Sequence, residues 1–425
     1  MLPHPFRVRS RHASSALAAL LAIAPAGATT LTWPGAPPCA TTLQACIAGA
    51  GAGDVVEIAS DGPIEASLEI QGKSLTLRAA EGFTPVLQAG SSTDVIDAFG
   101  GNSQVTIVIE GLTVRGGSIT AYQAGSGAFD VTIRGNVVEA EGLDANRTAI
   151  SVTTFGAAPT GPVDFAITDN DVRLGFLHGD DIAAIGIDDL PGATTGAIER
   201  NMILDGGSWS TLGAILVNND DGAADVLLQH NRIEATGYNG GIVLVQYGAG
   251  GTLDARVFNN LVTGTVGVMG PQPAAVSLRA NAGSLHADVF GNTLVGNHTG
   301  FIASVSTGAS LTGTLANTLV AGNDSHGVVI GAAAGGGFAN EHNLVFDNGP
   351  NDFTPGAGTV EADPAFVGGG DWRLRADSPA RDAGNSLYAA GIAVDLDGET
   401  RIVGPAVDIG AWEVGDAIFA NGYDA

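Results

Sequence analysis

The chain has 425 residues, of which 44 are acidic, sixteen are arginine and one is lysine, leaving a formal net charge of -27. So acidic a surface repels a phosphate backbone and an anionic bilayer, which argues against nucleic acid as a partner and leaves cations and neutral, hydroxylated ligands. The length suits two or three average domains or a single solenoid, and internal repeats decide between them.

Arg7, Arg9, Arg11 and His12 precede a short apolar run, Ala16 to Ala24, and Pro25 and the small residues Ala26-Gly27-Ala28 follow it. This is the pattern of a secretory signal cleaved near residue 28, and its loss takes the net charge from -27 to -30 because three arginines and no acid go with it. No other segment has the eighteen uninterrupted apolar residues of a spanning helix, so no integral membrane domain is expected after signal removal. Cys39 and Cys46 are the only cysteines. An oxidising compartment would join them in a disulfide, and two separate buried thiols are the alternative. Thr41 or Thr42 is placed to cap a short helix running to Ala50, with Thr41 and Gln44 at capping-box spacing.

A repeat then runs through most of the chain. An asparagine is followed by two positions that usually include a branched apolar residue, at Asn136, Asn170, Asn201, Asn231, Asn260, Asn292, Asn317 and Asn343. Successive asparagines stand 34, 31, 30, 29, 32, 25 and 26 residues apart, so one supersecondary unit is stacked on the next. Alternating runs such as Val131-Thr132-Ile133 and Leu253 to Val257 precede the asparagines. A second family of strands comprises Ile150 to Thr154, Ile182 to Ile187, Ala214 to Val217, Ile242 to Val245, Val276 to Leu278, Ile302 to Val305 and Val328 to Ile330. Their period of two predicts strands, and 63 glycines are available for corners. The asparagines are expected to turn the chain in left-handed backbone geometry and to form an amide ladder between coils; His230 and His342, just ahead of ladder residues, read as turn residues.

The expected fold is therefore all-β, a right-handed parallel β-helix with an N-terminal helical cap and a C-terminal irregular cap. The expected divisions are a signal over 1–28, entry and cap over 29–59, coils over 60–345, a capping region over 346–413 and a tail over 414–425. Trp372 and Leu374, alternating with Arg373 and Arg375, predict an edge strand with its apolar face on the last coil.

In a stack, equivalent positions form surface rows. Aligning the second strand family brings Thr153, Asp188, Asn218, Gln246 and Arg279 to one outward row, with Asp189, Asp220, Asp221, Tyr247 and Asn281 in the adjoining turns. His178, Asn218, Gln246, Tyr247 and Arg279 are the substrate-binding candidates, since amides bond hydroxyls and an aromatic ring stacks on a sugar. Opposed carboxylates roughly 5–9 Å apart serve glycoside hydrolysis, and Asp188 with Asp220 is the leading pair, with Asp181, Asp189 and Asp221 as alternatives. Asp180, Asp181, Asp188 and Asp189 are also a candidate calcium set, calcium being the one cofactor the sequence points to, as a stabilising ion. Solvated acidic turns account for the same clusters.

The C-terminal series Asp363-Pro364-Ala365-Phe366, Leu374 to Gly384 (LRADSPARDAG), Asp395-Leu396-Asp397-Gly398, Arg401 and Asp408-Ile409-Gly410-Ala411-Trp412-Glu413 resembles the bacterial choice-of-anchor Q domain proteins. Their wider architectural relatives are pectate-lyase-like β-helices. The resemblance implies a secreted or surface protein, usually with no assigned reaction. Asp416 to Asp424 resembles a short tail of exported proteins. Gly179-Asp180-Asp181-Ile182 faintly resembles the paired-aspartate motif of polygalacturonases, whose glycine-histidine-glycine and arginine-isoleucine-lysine segments are missing here. The leading expectation is a carbohydrate-binding or surface-interaction protein whose partner is an extracellular polysaccharide or cell-surface component. A polysaccharide-degrading glycosidase comes next, ahead of a lyase, and a structural surface protein or adhesin stands as a third reading.

Overall fold

Three faces of short parallel strands, formed once per coil, build the molecule. The computed structural model describes residues 27–88, 94–140, 148–155, 160–174, 178–179, 183–188, 192–205, 209–235, 238–266, 273–332, 334, 337–350 and 354–415. Most of the expected signal, most of the tail, Asp180, Asp181 and Asp189 lie outside these residues.

Among the described residues sheet A holds twelve strands, from Thr30–Trp33 to Phe338–Glu341, and contains the alternating runs that precede the asparagines. Sheet C holds eleven, from Leu68–Gln71 to His326–Ile330, and contains the second strand family. Sheet B was not anticipated: eleven strands of two to four residues, such as Val137–Glu139 and Arg232–Glu234, immediately follow the ladder positions. Each strand pairs in parallel with its counterpart one coil away, so the fold is an all-β parallel solenoid. Strand pairing starts at Thr30, ahead of residue 60.

Pairing in fixed register stacks like on like inside. Val56, Leu77, Ile109, Ile133, Ile167, Ile198, Leu228, Val257, Val289 and Leu315 form one inward column, every member fully buried. Large meets small where needed: Phe165 pairs with Gly196, whose absent Cβ would stand 2.4 Å from the phenyl ring.

The corner from sheet A to sheet B buries a polar ladder. Asn136, Asn170, Asn201, Asn231 and Asn260 each donate from backbone N and from Nδ2 to the Oδ1 of the next coil's asparagine, at 2.9–3.1 Å. Nδ2 also reaches back to a sheet A carbonyl, as from Asn231 to Ile198 at 2.8 Å. Two expectations need correcting. The left-handed residue is the one before the ladder asparagine, with φ of 58° at Asp169, 53° at Arg200, 56° at His230 and 53° at His342. Asn317 occupies that position too (φ 50°), and Thr318 takes its place in the ladder, donating from backbone N to Asn343 Oδ1 at 2.9 Å.

At the N-terminal end, helix Leu43–Gly49 packs on the first strands of sheets A and C. Thr42 is the N-cap, accepting from the backbone N of Ala45 at 3.1 Å. Gln44 forms no capping box; its side chain donates to the carbonyl of Glu69 and accepts from the same residue's N–H, imitating a neighbouring strand at the sheet edge. Lys73 donates to the carbonyls of Ile47 and Ala50 at the helix C-terminus, at 2.6 and 2.7 Å. Cys39 and Cys46 form a disulfide.

The C-terminal segment runs mainly along the side of the stack. Residues 357–360 pair with the last coil, but Leu374, Ala380, Leu396, Ile409, Ala411 and Trp412 pack on the outward side chains Leu261, Val295, Leu319 and Leu344 of sheet B. The Trp372 strand, Asp371–Leu374, pairs antiparallel with Phe366–Gly368. Asn317 bonds the backbone of Asn385 in both directions, and Thr293 Oγ1 accepts from the backbone N of Ala411. Inside the segment, Arg401 and Glu413 form an ion pair with both side chains at most 2% exposed. Among the described residues no helix is long and apolar enough to cross a membrane.

Replacing Asn231 by Ala strips the acceptor from both donors of Asn201 and should cost about 2–4 kcal/mol, read as a lower urea midpoint with unchanged slope. Glu413→Ala leaves a buried guanidinium unpaired and should destabilise by about 3–5 kcal/mol, whereas Arg401→Met combined with Glu413→Leu should recover most of the loss. Equal destabilisation in the single and double variants would show that packing, not charge, dominates there.

Candidate functional site

Because strands alternate, every second residue of a sheet C strand faces outward, and pairing carries that position from coil to coil. The resulting row reads Phe99, Tyr122, Thr153, Asp188, Asn218, Val245, Arg279, Ser304. Four of the five expected row members, Thr153, Asp188, Asn218 and Arg279, are in it. Gln246 is displaced by one position: it pairs with Asn219, its side chain is fully buried, and Val245 stands in its place. Gln246 Oε1 accepts from Asn219 Nδ2 at 2.6 Å and its Nε2 donates to the carbonyls of Asp220 and Gly248. Its work is to satisfy the corner between sheets C and A, as Gln123 does four coils earlier.

Asp188 and Asn218 are register partners, and the Asn218 amide donates to the Asp188 carboxylate at 2.6 Å. Asp220 lies two residues beyond Asn218, past the corner, in an exposed turn; Asp221 beside it accepts from the backbone N of Gly250 at 3.2 Å. Tyr247 is 52% exposed in the turn after its sheet C strand. Arg279 donates to Ser277 Oγ at 3.1 Å, and burial lowers its pKa while Tyr247 acts in the opposite direction. Between Asn218 and Arg279 the row is interrupted, since Val245 is buried with Ala183, Leu216 and Val243. His178 pairs through its backbone with Trp209. Of the four calcium candidates only Asp188 falls within the described residues, among which no cluster of three or more His, Cys, Asp or Glu is placed to hold a metal.

The accessible start of the row was missed. Phe99 stacks on Tyr122 with centroids 5.0 Å apart, and Phe155 closes edge-on against both, at 5.4 and 5.5 Å. Phe155 is 57% exposed, and Tyr122 donates its hydroxyl to Asp94 at 3.4 Å. The signal was an aromatic residue at the end of the alternating stretches Ile96–Phe99 and Ile119–Gln123, which join sheet C ahead of the coils used for the alignment.

Sheet A carries an acidic row that was also missed: Asp130 pairs with Asp164, and Asp225 with Asp254, followed by His286. Partial desolvation and then the neighbouring Asp130 raise the pKa of Asp164. Desolvation raises that of Asp254, with His286 opposing and Asp225 adding to the shift. His286 is raised by its hydrogen bond to Asp288.

No family model matches the chain, and no curated protein matches it. Among solved structures it is similar to a complex of XylC with xylose, at 10% identity over 88% of this chain and 96% of that one, with a TM-score of 0.53. A mannuronic acid specific family 6 polysaccharide lyase from human gut microbiota aligns at 12% identity over 79% of this chain and 92% of that one, with a TM-score of 0.32. At such identities the likeness to XylC extends to the fold alone.

The sheet A row sets a pH dependence. A carboxyl whose folded pKa is raised holds its proton more tightly when folded, so stability is lost as pH rises from the ordinary value of 3.8 through the folded one. Asp254→Asn should therefore flatten the fall in unfolding midpoint as the pH rises above about 4. An unchanged slope would show that burial of Asp254 does not set it.

Proposed function

We propose that the chain is an exported protein that binds a polysaccharide along the outward face of sheet C. The observation that carries this reading is the continuity of the row from the Phe99, Tyr122 and Phe155 rings through Thr153 to the Asp188–Asn218 pair. Four coil steps at about 4.8 Å make a strip roughly 19 Å long, the shape of several consecutive sugar units. Rings offer flat apolar faces to sugar C–H bonds, while an amide and a carboxylate in one plane exchange hydrogen bonds with hydroxyls. Tyr247 and Arg279 extend the strip on the far side of the buried apolar cluster. Neutral polymers suit the net charge of -27 better than polyuronates do. The xylose seen with XylC and the Cys39–Cys46 disulfide agree with a sugar ligand and an oxidising compartment. In this reading the acidic groups at Asp180, Asp181, Asp188 and Asp189 would take calcium as a stabilising ion, and the resemblance of the C-terminal motifs to those of choice-of-anchor Q proteins supports export to the cell surface.

A glycan array followed by affinity electrophoresis on the hits tests the reading. Phe155→Ala, Asn218→Ala and Tyr247→Ala should each weaken retention about tenfold, with no new reducing ends and no unsaturated product. Absence of binding to any glycan overturns it. Release of reducing ends that stops in Asp188→Asn or Asp220→Asn would replace it with a glycosidase.

A further inference from the structure

We infer that a cleft on the opposite flank, between sheet B and the C-terminal segment, is a second ligand site that takes a neutral pyranose unit. The cleft encloses about 510 Å³, within the ~300–1,000 Å³ range of small-ligand sites. One wall is sheet B, with Met202, Leu204 and Leu261; the other is the hairpin carrying Trp372, with Trp412 and Asp397 beside it. Gly368, Gly369 and Gly370 turn that hairpin at φ of 94°, 68° and 90°, with open space where a Cβ would project, so the turn leaves the entrance clear.

The charges in the cleft are already matched to one another. Arg232 pairs with Asp397, and Arg373 holds Asp371 through Nε and Nη2 at 2.9 and 2.6 Å. Glu234 leaves the lining with one more carboxylate than guanidinium. A charged ligand of either sign would have to compete with these pairs. A hydroxylated neutral one would not, because carboxylate oxygens accept and guanidinium N–H groups donate at their remaining positions. Nη1 of Arg373 stands 3.8 Å from Asp397, beyond hydrogen-bond reach, and can donate to such a ligand.

The apolar part sets the shape. Trp412 is only 5% exposed and lies beneath Arg232, whose guanidinium is 5.7 Å from the ring centroid, so it serves as floor. Trp372 is half-buried, edge-on to Phe366 at 5.3 Å, and Met202 is 41% exposed. An indole beside an open thioether, rimmed by paired charges, matches a ring with one C–H face and equatorial hydroxyls. This site stands independently of the strip on sheet C.

Calorimetric titration of the full chain with neutral xylo-, gluco- and manno-oligosaccharides, and with uronate oligosaccharides for comparison, tests it. Saturable binding of a neutral oligosaccharide should weaken about tenfold or more in Trp372→Ala and in Met202→Lys, and persist in Phe155→Ala. Met202 is exposed, so its variant remains decisive where Trp372→Ala disturbs the fold by circular dichroism. No saturable binding, a preference for uronates, or binding that survives Met202→Lys and vanishes in Phe155→Ala overturns the inference; the last outcome would leave the sheet C strip as the sole site.

Discussion

Every coil of this molecule must bury a polar corner, and the asparagine column is what makes that corner tolerable. A chain that turns between two sheets inside a stack leaves backbone N–H groups facing an apolar interior, where an unmet donor costs about 1–3 kcal/mol. Each asparagine accepts one such backbone N–H and one side-chain N–H from its neighbour and donates its own pair to the next coil, so satisfaction is passed along the stack. The register of sheets A and B on either side of the corner follows. Once Asn201 is tied to Asn231, Met202 can only face Arg232, and Ile198 can only face Leu228. The same economy appears late in the stack at the corner after sheet B, where Asn297, Asn323 and Asn348 repeat the device.

That constraint explains which features were readable from sequence. Asparagine at a near-constant spacing is visible because few other side chains both donate and accept in a buried corner. Thr318 escaped notice since a hydroxyl fills the same place with fewer bonds, and the adjacent Asn317 drew the alignment one residue early. The strands of sheet B escaped because two to four residues are too few to display a period of two. Gln246 was misplaced for a related reason. Residues Ile242 to Val245 are apolar on both faces, so Gln246, the first polar residue of the strand, takes the outward place in the alternation although it is the one that turns into the corner.

The position of the C-terminal segment had a sequence signal of another kind. Early sheet B strands alternate, as in Thr113-Val114-Arg115, whose outer residues face solvent. Later ones are apolar on both faces, as in Thr293-Leu294-Val295 and Leu319-Val320-Ala321, and all six of these residues are buried. A strand apolar on both sides must be covered on both sides. Leu396, Ile409 and Trp412 supply that cover, and the arginine–glutamate pair at Arg401 and Glu413 braces it from within.

The three faces of the stack therefore have different fates, and those fates decide where a ligand can be held. Sheet A presents like charges in register, which repel one another and would bind a neutral ring poorly for want of an apolar surface. Sheet B is covered over its later coils, and where the cover begins it leaves a walled cleft with an indole and paired charges. Sheet C alone keeps aromatic and amide side chains in one open line before its own apolar cluster interrupts it. A solenoid built by repeating one coil would offer identical faces throughout; the departures from repetition, at Phe155, Asn218 and Trp372, are what the proposed recognition of a sugar polymer rests on.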